Sequence, residues 1–117
     1  MYIAIVDDDS SVRAALSRLL RAYGIESRSF GSAQEFLEFV DGVPPGCLLV
    51  DLTMPGMTGG GLLDELSRRG IRVPTILMSG AEDAFAQTSD HTIIANLTKP
   101  FDWVALITAI ESVMPRD

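Results

Sequence analysis

The feature that most narrows the fold is an alternation. Short apolar runs recur along the chain, and between them the apolar residues fall at helical spacing. Tyr2 to Val6, Glu26 to Phe30, Cys47 to Asp51, Pro74 to Ser79 and a run within His91 to Thr98 read as strands. The first intervening helix, opened by Ser10 or Ser11 and closed at Gly24, carries Val12, Ala15, Leu16, Leu19, Leu20 and Tyr23 on one face. Ser32-Ala33-Gln34-Glu35 is a capping box for a second helix with Phe36, Leu37, Phe39 and Val40, which stops at Gly42. A third runs from about Gly60 to Arg69, buries Leu62, Leu63 and Leu66, and ends at Gly70. Glu82 to Ser89 forms a weak, short fourth, and Asp102 caps a last one with Val104, Leu106, Ile107, Ile110 and Val113, ended by Pro115. Strand and helix in strict alternation predict an α/β doubly wound parallel sheet with helices on both faces. A chain of 117 residues holds one ordinary core, so residues 1–117 read as one domain.

The third strand is the central one. Cys47-Leu48-Leu49-Val50 shows no polar alternation, as a strand buried on both faces requires. It ends on Asp51 and passes into Leu52-Thr53-Met54-Pro55-Gly56-Met57-Thr58-Gly59, a Pro/Gly loop. In open α/β sheets ligands bind beyond the carboxyl ends of strands, which is where Asp51 stands. Three other strands end on residues with phosphate or metal chemistry: Asp7 and Asp8, Ser79, and Lys99. Singly, these residues are ordinary cap, turn and solvated positions. At the ends of four of five parallel strands they share one edge, and the chemistry explains the set.

Asp51 is the expected nucleophile towards phosphorus, giving an acyl phosphate. Asp8, Asp51 and the backbone carbonyl of Thr53 would hold Mg²⁺, an oxygen-seeking ion that keeps its waters, with Asp7 reaching it through one of them. The cation would also offset the mutual repulsion of three clustered carboxylates. Lys99 would pair with the phosphoryl oxygens and the Ser79 hydroxyl would donate to them, so that transfer is mainly positioning and charge neutralisation.

Composition excludes other chemistries. A net charge of −7, from 16 acidic against 9 basic residues, argues against direct contact with nucleic acid. A single cysteine, Cys47, rules out an internal disulfide and any multi-cysteine metal site, and reads as a buried thiol. No apolar run approaches the roughly 20 residues of a membrane helix, and no signal-peptide pattern follows Met1, so a cytoplasmic location without membrane contact is expected.

Val6-Asp7-Asp8-Asp9, Val50-Asp51-Leu52-Thr53-Met54-Pro55-Gly56-Met57-Thr58-Gly59, Leu77-Met78-Ser79-Gly80 and Leu97-Thr98-Lys99-Pro100-Phe101 together resemble the receiver domain of two-component response regulators, over essentially the whole length. The resemblance implies a flavodoxin-like (CheY-like) five-stranded sheet of order 2-1-3-4-5. It also implies Mg²⁺-dependent phosphorylation of Asp51 by a sensor histidine kinase or phosphotransfer protein. Signalling to a downstream protein or output domain would run through the face made by the fourth helix, fifth strand and fifth helix. Asp7 and Asp8 take the place of the family's acidic pair, Ser79 of its switch hydroxyl and Lys99 of its lysine, leaving Asp9 as a helix cap. Such a domain is not an enzyme beyond catalysing its own phosphorylation and dephosphorylation.

The chain departs from the family pattern in its switch region. Asn96 stands three residues before Lys99, where receivers carry Tyr or Phe, and an amide gains no apolar burial by swinging inward. The span from Ser79 to Lys99 is short, and Gly59-Gly60-Gly61 opens the third helix loosely or extends the preceding loop. His91 reads as a solvated loop residue, and Trp103 as half-buried, or as a partner anchor if exposed. Two further readings stand beside the first. One is a pseudo-receiver used as an interaction scaffold. The other is a phosphatase resembling the haloacid dehalogenase superfamily, with Asp7 as nucleophile in Asp7-Asp8-Asp9, which would leave Asp51 without a role.

Overall fold

The computed structural model describes residues 1–52, 54, 56–79, 93–98 and 102–113. Along the chain they form β1 (Ile3–Val6), α1 (Ser10–Ala22), β2 (Ser27–Phe30), α2 (Ala33–Val40), β3 (Cys47–Asp51), α3 (Gly59–Arg68), β4 (Thr75–Ser79), β5 (Ile93–Thr98) and α4 (Trp103–Val113). The short helix expected between Glu82 and Ser89 lies outside the described residues, so α4 is the helix expected after Asp102. The five strands are parallel, in the order β2-β1-β3-β4-β5. This is the doubly wound, flavodoxin-like order that the alternation and the motifs predict.

The three inner strands explain their own composition. Every residue of β1, β3 and β4 is buried, because both faces of the sheet are covered. On one face Ala4, Val6, Leu48, Val50 and Leu77 pack against Phe36, Leu37 and Val40 of α2 and Leu62, Leu63 and Leu66 of α3. On the other, Ile3, Ile5, Cys47, Leu49, Ile76 and Met78 pack against Leu16 and Leu20 of α1 and Leu106, Ile107 and Ile110 of α4. Each such side chain contributes roughly 1.5–3 kcal/mol when fully buried. The edges differ. β2 is half-buried at Ser27 and Phe30 and exposed at Arg28 and Ser29, whereas β5 alternates half-buried and exposed residues from Ile93 to Thr98.

Helix ends follow local hydrogen bonding, with some changes from expectation. Asp9, not Ser10 or Ser11, caps α1: its carboxylate accepts from Ser11 N and Val12 N. A carboxylate is the stronger acceptor facing the positive end of a helix, so the hydroxyls fall inside the first turn. Ser32 caps α2 by accepting from Glu35 N at 3.1 Å, while Glu35 Oε2 accepts from Gly31 N at 2.7 Å, one residue earlier than a regular capping box. Gly24 and Gly70, just past α1 and α3, take positive φ values of 73° and 72°, as helix C′ positions require.

Gly59-Gly60-Gly61 does not extend the loop. Thr58 caps α3 by accepting from Gly61 N, and all three glycines are helical. Only the first is demanded by space. A Cβ on Gly59 would lie 2.8 Å from the Asp51 carbonyl oxygen and 3.0 Å from Leu52 Cα, both backbone, whereas one on Gly60 would meet nothing nearer than Thr58 Oγ1 at 3.9 Å. Gly59→Ala should therefore destabilise the fold by about 1–3 kcal/mol, as overpacking does. Gly60→Ala should stabilise it by up to about 1 kcal/mol through helix propensity. Urea midpoints of the two variants check the opposite signs.

Cys47 is fully buried in β3. Burial pushes its thiol up from 9.0 to about 12, partly offset by the Leu48 N–H. The unfolded chain loses this proton at lower pH than the folded one, so stability from this site is full below about pH 9 and falls as pH rises towards about 12. Between pH 9 and 11 the unfolding free energy of Cys47→Ala should decline less steeply with pH than that of the parent.

Candidate functional site

The site is produced by strand register. Val6 pairs with both Phe30 and Val50, which sets Asp7, one residue on, beside Asp51. Asp51 pairs with Met78, and Ser79 with Thr98, the residue before Lys99. Side chains alternate across a strand. Ile3 and Ile5 face the α1/α4 side, as do Cys47 and Leu49, and Asp7 and Asp51 continue those two rows at the carboxyl edge.

There Asp7, Asp8 and Asp51 offer carboxylate oxygens that all lie within 4.8 Å of one another. Asp7 and Asp51 are buried, and Asp8 is exposed. Asp7 Oδ1 accepts from Asp9 N at 2.9 Å, so the β1–α1 turn folds back on the inner carboxylate. Leu52 N donates to Met78 O at 2.8 Å, tying the start of the loop after Asp51 to β4. The donor set is oxygen only and carries three formal negative charges, which suits a hard divalent cation that keeps part of its water shell. Thr53, the expected carbonyl ligand, and Lys99 lie outside the described residues, as does His91.

Ser79 is buried at the end of β4, and among the described residues its Oγ has no hydrogen-bond partner. A buried hydroxyl without a partner costs about 1–3 kcal/mol, so such a group is kept for a reason other than stability. Asn96 is exposed on β5, like Ile94 and Thr98 on the same side of the strand. Trp103, expected to be half-buried, is 62% exposed at the start of α4, with Val104 beside it at 59%. The helix turns its Leu106, Ile107 and Ile110 stripe to the sheet, which leaves its first turn outside.

Arg13 belongs to this neighbourhood and does not announce itself in the sequence, where it is one of several basic residues at helical spacing. Its Nη1 donates to the Asp7 carbonyl at 2.7 Å. The only hint in the chain is its place in the first turn after Asp7-Asp8-Asp9, which points a long side chain back towards the end of β1.

Fold and site together define a doubly wound α/β domain with an acidic, oxygen-lined pocket at the carboxyl edge of its sheet. The sequence matches the response regulator receiver domain family over residues 3–111. The chain therefore belongs to that family, the receiver domains of two-component systems. It is 34% identical over 116 residues to the transcriptional regulatory protein FixJ of Azorhizobium caulinodans, covering 97% of this chain and 55% of FixJ. It is 40% identical over 100 residues to the DNA-binding transcriptional regulator NtrC of Klebsiella pneumoniae, covering 84% of this chain and 21% of NtrC. The crystal structure of FixJ-N superposes with a TM-score of 0.88 at 34% identity, covering 97% of this chain and 93% of that one. The chain thus spans about half the length of FixJ and about a fifth of NtrC. No helix among the described residues is long and apolar enough to cross a membrane.

Replacing the unpartnered hydroxyl should reveal its cost. Ser79→Ala should raise the unfolding free energy by about 1 kcal/mol, read from urea denaturation, because it removes a buried polar atom at little change in volume.

Proposed function

We propose that this domain is a phospho-accepting switch, with Asp51 as the phosphorylated residue and a histidine kinase or phosphotransfer protein as the donor. The observation that carries the reading is the convergence of Asp7, Asp8 and Asp51 within 4.8 Å at the end of two adjacent strands, one residue row from the buried Ser79. Family membership supports the same reading.

Asp7, Asp8 and Asp51, with the Thr53 carbonyl, would hold Mg²⁺, which when bound would neutralise phosphoryl oxygens and hold them in line. A carboxylate oxygen of Asp51 attacks phosphorus, the new O–P bond forming as the donor's P–N bond breaks. The bonding pair leaves with the histidine nitrogen, and the product is an acyl phosphate on Asp51. The Ser79 hydroxyl donates a hydrogen bond to a phosphoryl oxygen, which supplies its missing partner. Lys99 balances the remaining charge as a compact cation. Hydrolysis reverses the modification by attack of water on phosphorus. The chain acts on itself in both directions and is not otherwise an enzyme. We place the domain in the cytoplasm, where its phosphodonors work, and give it no direct role in binding nucleic acid, consistent with its net charge of −7.

Output would pass to a partner protein or output domain through β5, α4 and the segment that joins β4 to β5. The exposed Ile94, Trp103 and Val104 lie on the described part of that region. Asn96 replaces the usual aromatic, so its inward movement supplies little apolar burial, and the output depends on other residues.

Incubation with Mg²⁺ and acetyl phosphate or phosphoramidate should add one phosphoryl group by intact mass, labile in base. Asp51→Asn should abolish it, and Asp7→Asn should weaken Mg²⁺ binding while leaving Asp51 competent. Phosphate retained in Asp51→Asn and lost in Asp7→Asn would overturn the reading in favour of a phosphatase with Asp7 as nucleophile. Absence of phosphate in the parent would favour an interaction scaffold.

A further inference from the structure

The pocket has an asymmetry. Asp7 and Asp51 are held by burial and by the sheet, but Asp8 is exposed and lies two residues past the paired part of β1. Neither packing nor ladder hydrogen bonds fix its direction. Yet its carboxylate reaches within 4.8 Å of the two buried ones. The backbone supplies the constraint. The carbonyl of Asp7 and the N–H of Asp8 belong to one planar peptide unit, so whatever fixes the first orients the second.

Arg13 is the group that does so. Its Nη1 donates to the Asp7 carbonyl at 2.7 Å, a short charge-assisted hydrogen bond in a partly buried setting. The guanidinium lies close to Gly31, where a Cβ would be 3.5 Å from Arg13 Nη1, 3.7 Å from its Cζ and 3.4 Å from Glu35 Oε2. Gly31 N donates to that same Glu35 oxygen at 2.7 Å. The base of the side chain is fixed, since Arg13 N donates to Asp9 O at 3.1 Å in the turn that Asp9 caps. One arginine thus links the end of β1 to the start of α1, beside the turn between β2 and α2.

We propose that Arg13 is a positioning residue for the metal pocket: by pinning the Asp7–Asp8 peptide it aims the exposed Asp8 carboxylate at Asp7 and Asp51. The proposal rests on the reading of this pocket as a Mg²⁺ site and adds to it the residue that preorganises its least constrained ligand. Arg13 does not touch the ion or the phosphoryl group. Outer groups that orient ligands in this way typically change metal affinity by roughly 10–100-fold when removed.

The test uses the full chain and Mg²⁺ alone, without phosphodonor. Calorimetric titration compares the parent with Arg13→Met, which keeps the length and loses the donor and charge, and Arg13→Lys, which keeps one donor and the charge. Arg13→Met should bind Mg²⁺ about 10-fold more weakly, and Arg13→Lys should recover most of that loss. In metal-free protein, amide hydrogen exchange at Asp8 and Asp9 should quicken in Arg13→Met while Ile5 and Leu49 in the sheet keep their protection. Parent-like Mg²⁺ affinity in Arg13→Met overturns the proposal. So does weakened affinity with unchanged exchange at Asp8 and Asp9, which would mean that the charge acts at a distance. If the parent itself binds no Mg²⁺, the metal reading of the pocket fails. The exchange comparison then still decides whether Arg13 orders the turn.

Discussion

Parallel register is the constraint on which everything else rests. A parallel sheet puts the carboxyl ends of its strands on one edge, and pairing fixes which residues meet there. With Val6 opposite Val50, Asp7 must fall beside Asp51; with Ser79 opposite Thr98, the hydroxyl falls in the last paired row of β4 and β5. A slip of one residue between β1 and β3 would turn Asp7 and Asp51 to opposite faces and break the pocket. Such a slip is opposed by the core, since it would also move Ile3 and Ile5 from the α1/α4 layer to the α2/α3 layer. The acidic site inherits its geometry from aliphatic residues that never touch it.

The site works against the stability that positions it. Two carboxylates are buried at the sheet edge with a third close by, and next to them a hydroxyl is kept dry without a partner among the described residues. Neither arrangement favours folding. Both make sense if the pocket is shaped for a species that brings positive charge and hydrogen-bond acceptors: a cation with phosphoryl oxygens supplies each in turn. The Gly59 contact belongs with this. By letting the start of α3 approach the Asp51–Leu52 backbone, where Gly59 N donates to Leu52 O at 3.2 Å, it fixes the loop leaving Asp51 without a side chain in the way.

Much of this was legible before any coordinates, for definite physical reasons. Strands buried on both faces must be apolar throughout, so Cys47 to Val50 marked the centre of a parallel sheet, and alternation with helical segments marked its winding. Convergence of Asp7, Asp8 and Asp51 then followed from topology. What escaped was decided by competition between neighbours. Asp9 outcompeted Ser10 and Ser11 as a cap because a carboxylate interacts more strongly with a helix N-terminus. Three glycines left open whether the third helix starts loosely or the loop runs on, and Thr58 caps all three into the helix. Trp103 looked half-buried because tryptophan usually is, but the stripe of Leu106, Ile107 and Ile110 fixes the rotation of α4 and leaves Trp103 outside. Arg13 was illegible because its role depends on a backbone carbonyl, which has no sequence signature.

The departures concentrate where the site meets the rest of the molecule. An inward-turning aromatic would gain roughly 1.5–3 kcal/mol from burial, which is enough to bias a two-state element; an asparagine gains nothing comparable. The backbone of Ser79 is paired with Thr98, and Asn96 two residues earlier is paired with Leu77 in the same ladder. The β4–β5 pairing contains a register irregularity between Thr75 and Ile76, which places Ile94 opposite no partner. Such a bulge leaves the extra residue unpaired and bends the edge strand locally. The ladder thus joins the row of the buried Ser79 to the edge strand that exposes Ile94 and Asn96, whatever side chain stands at position 96.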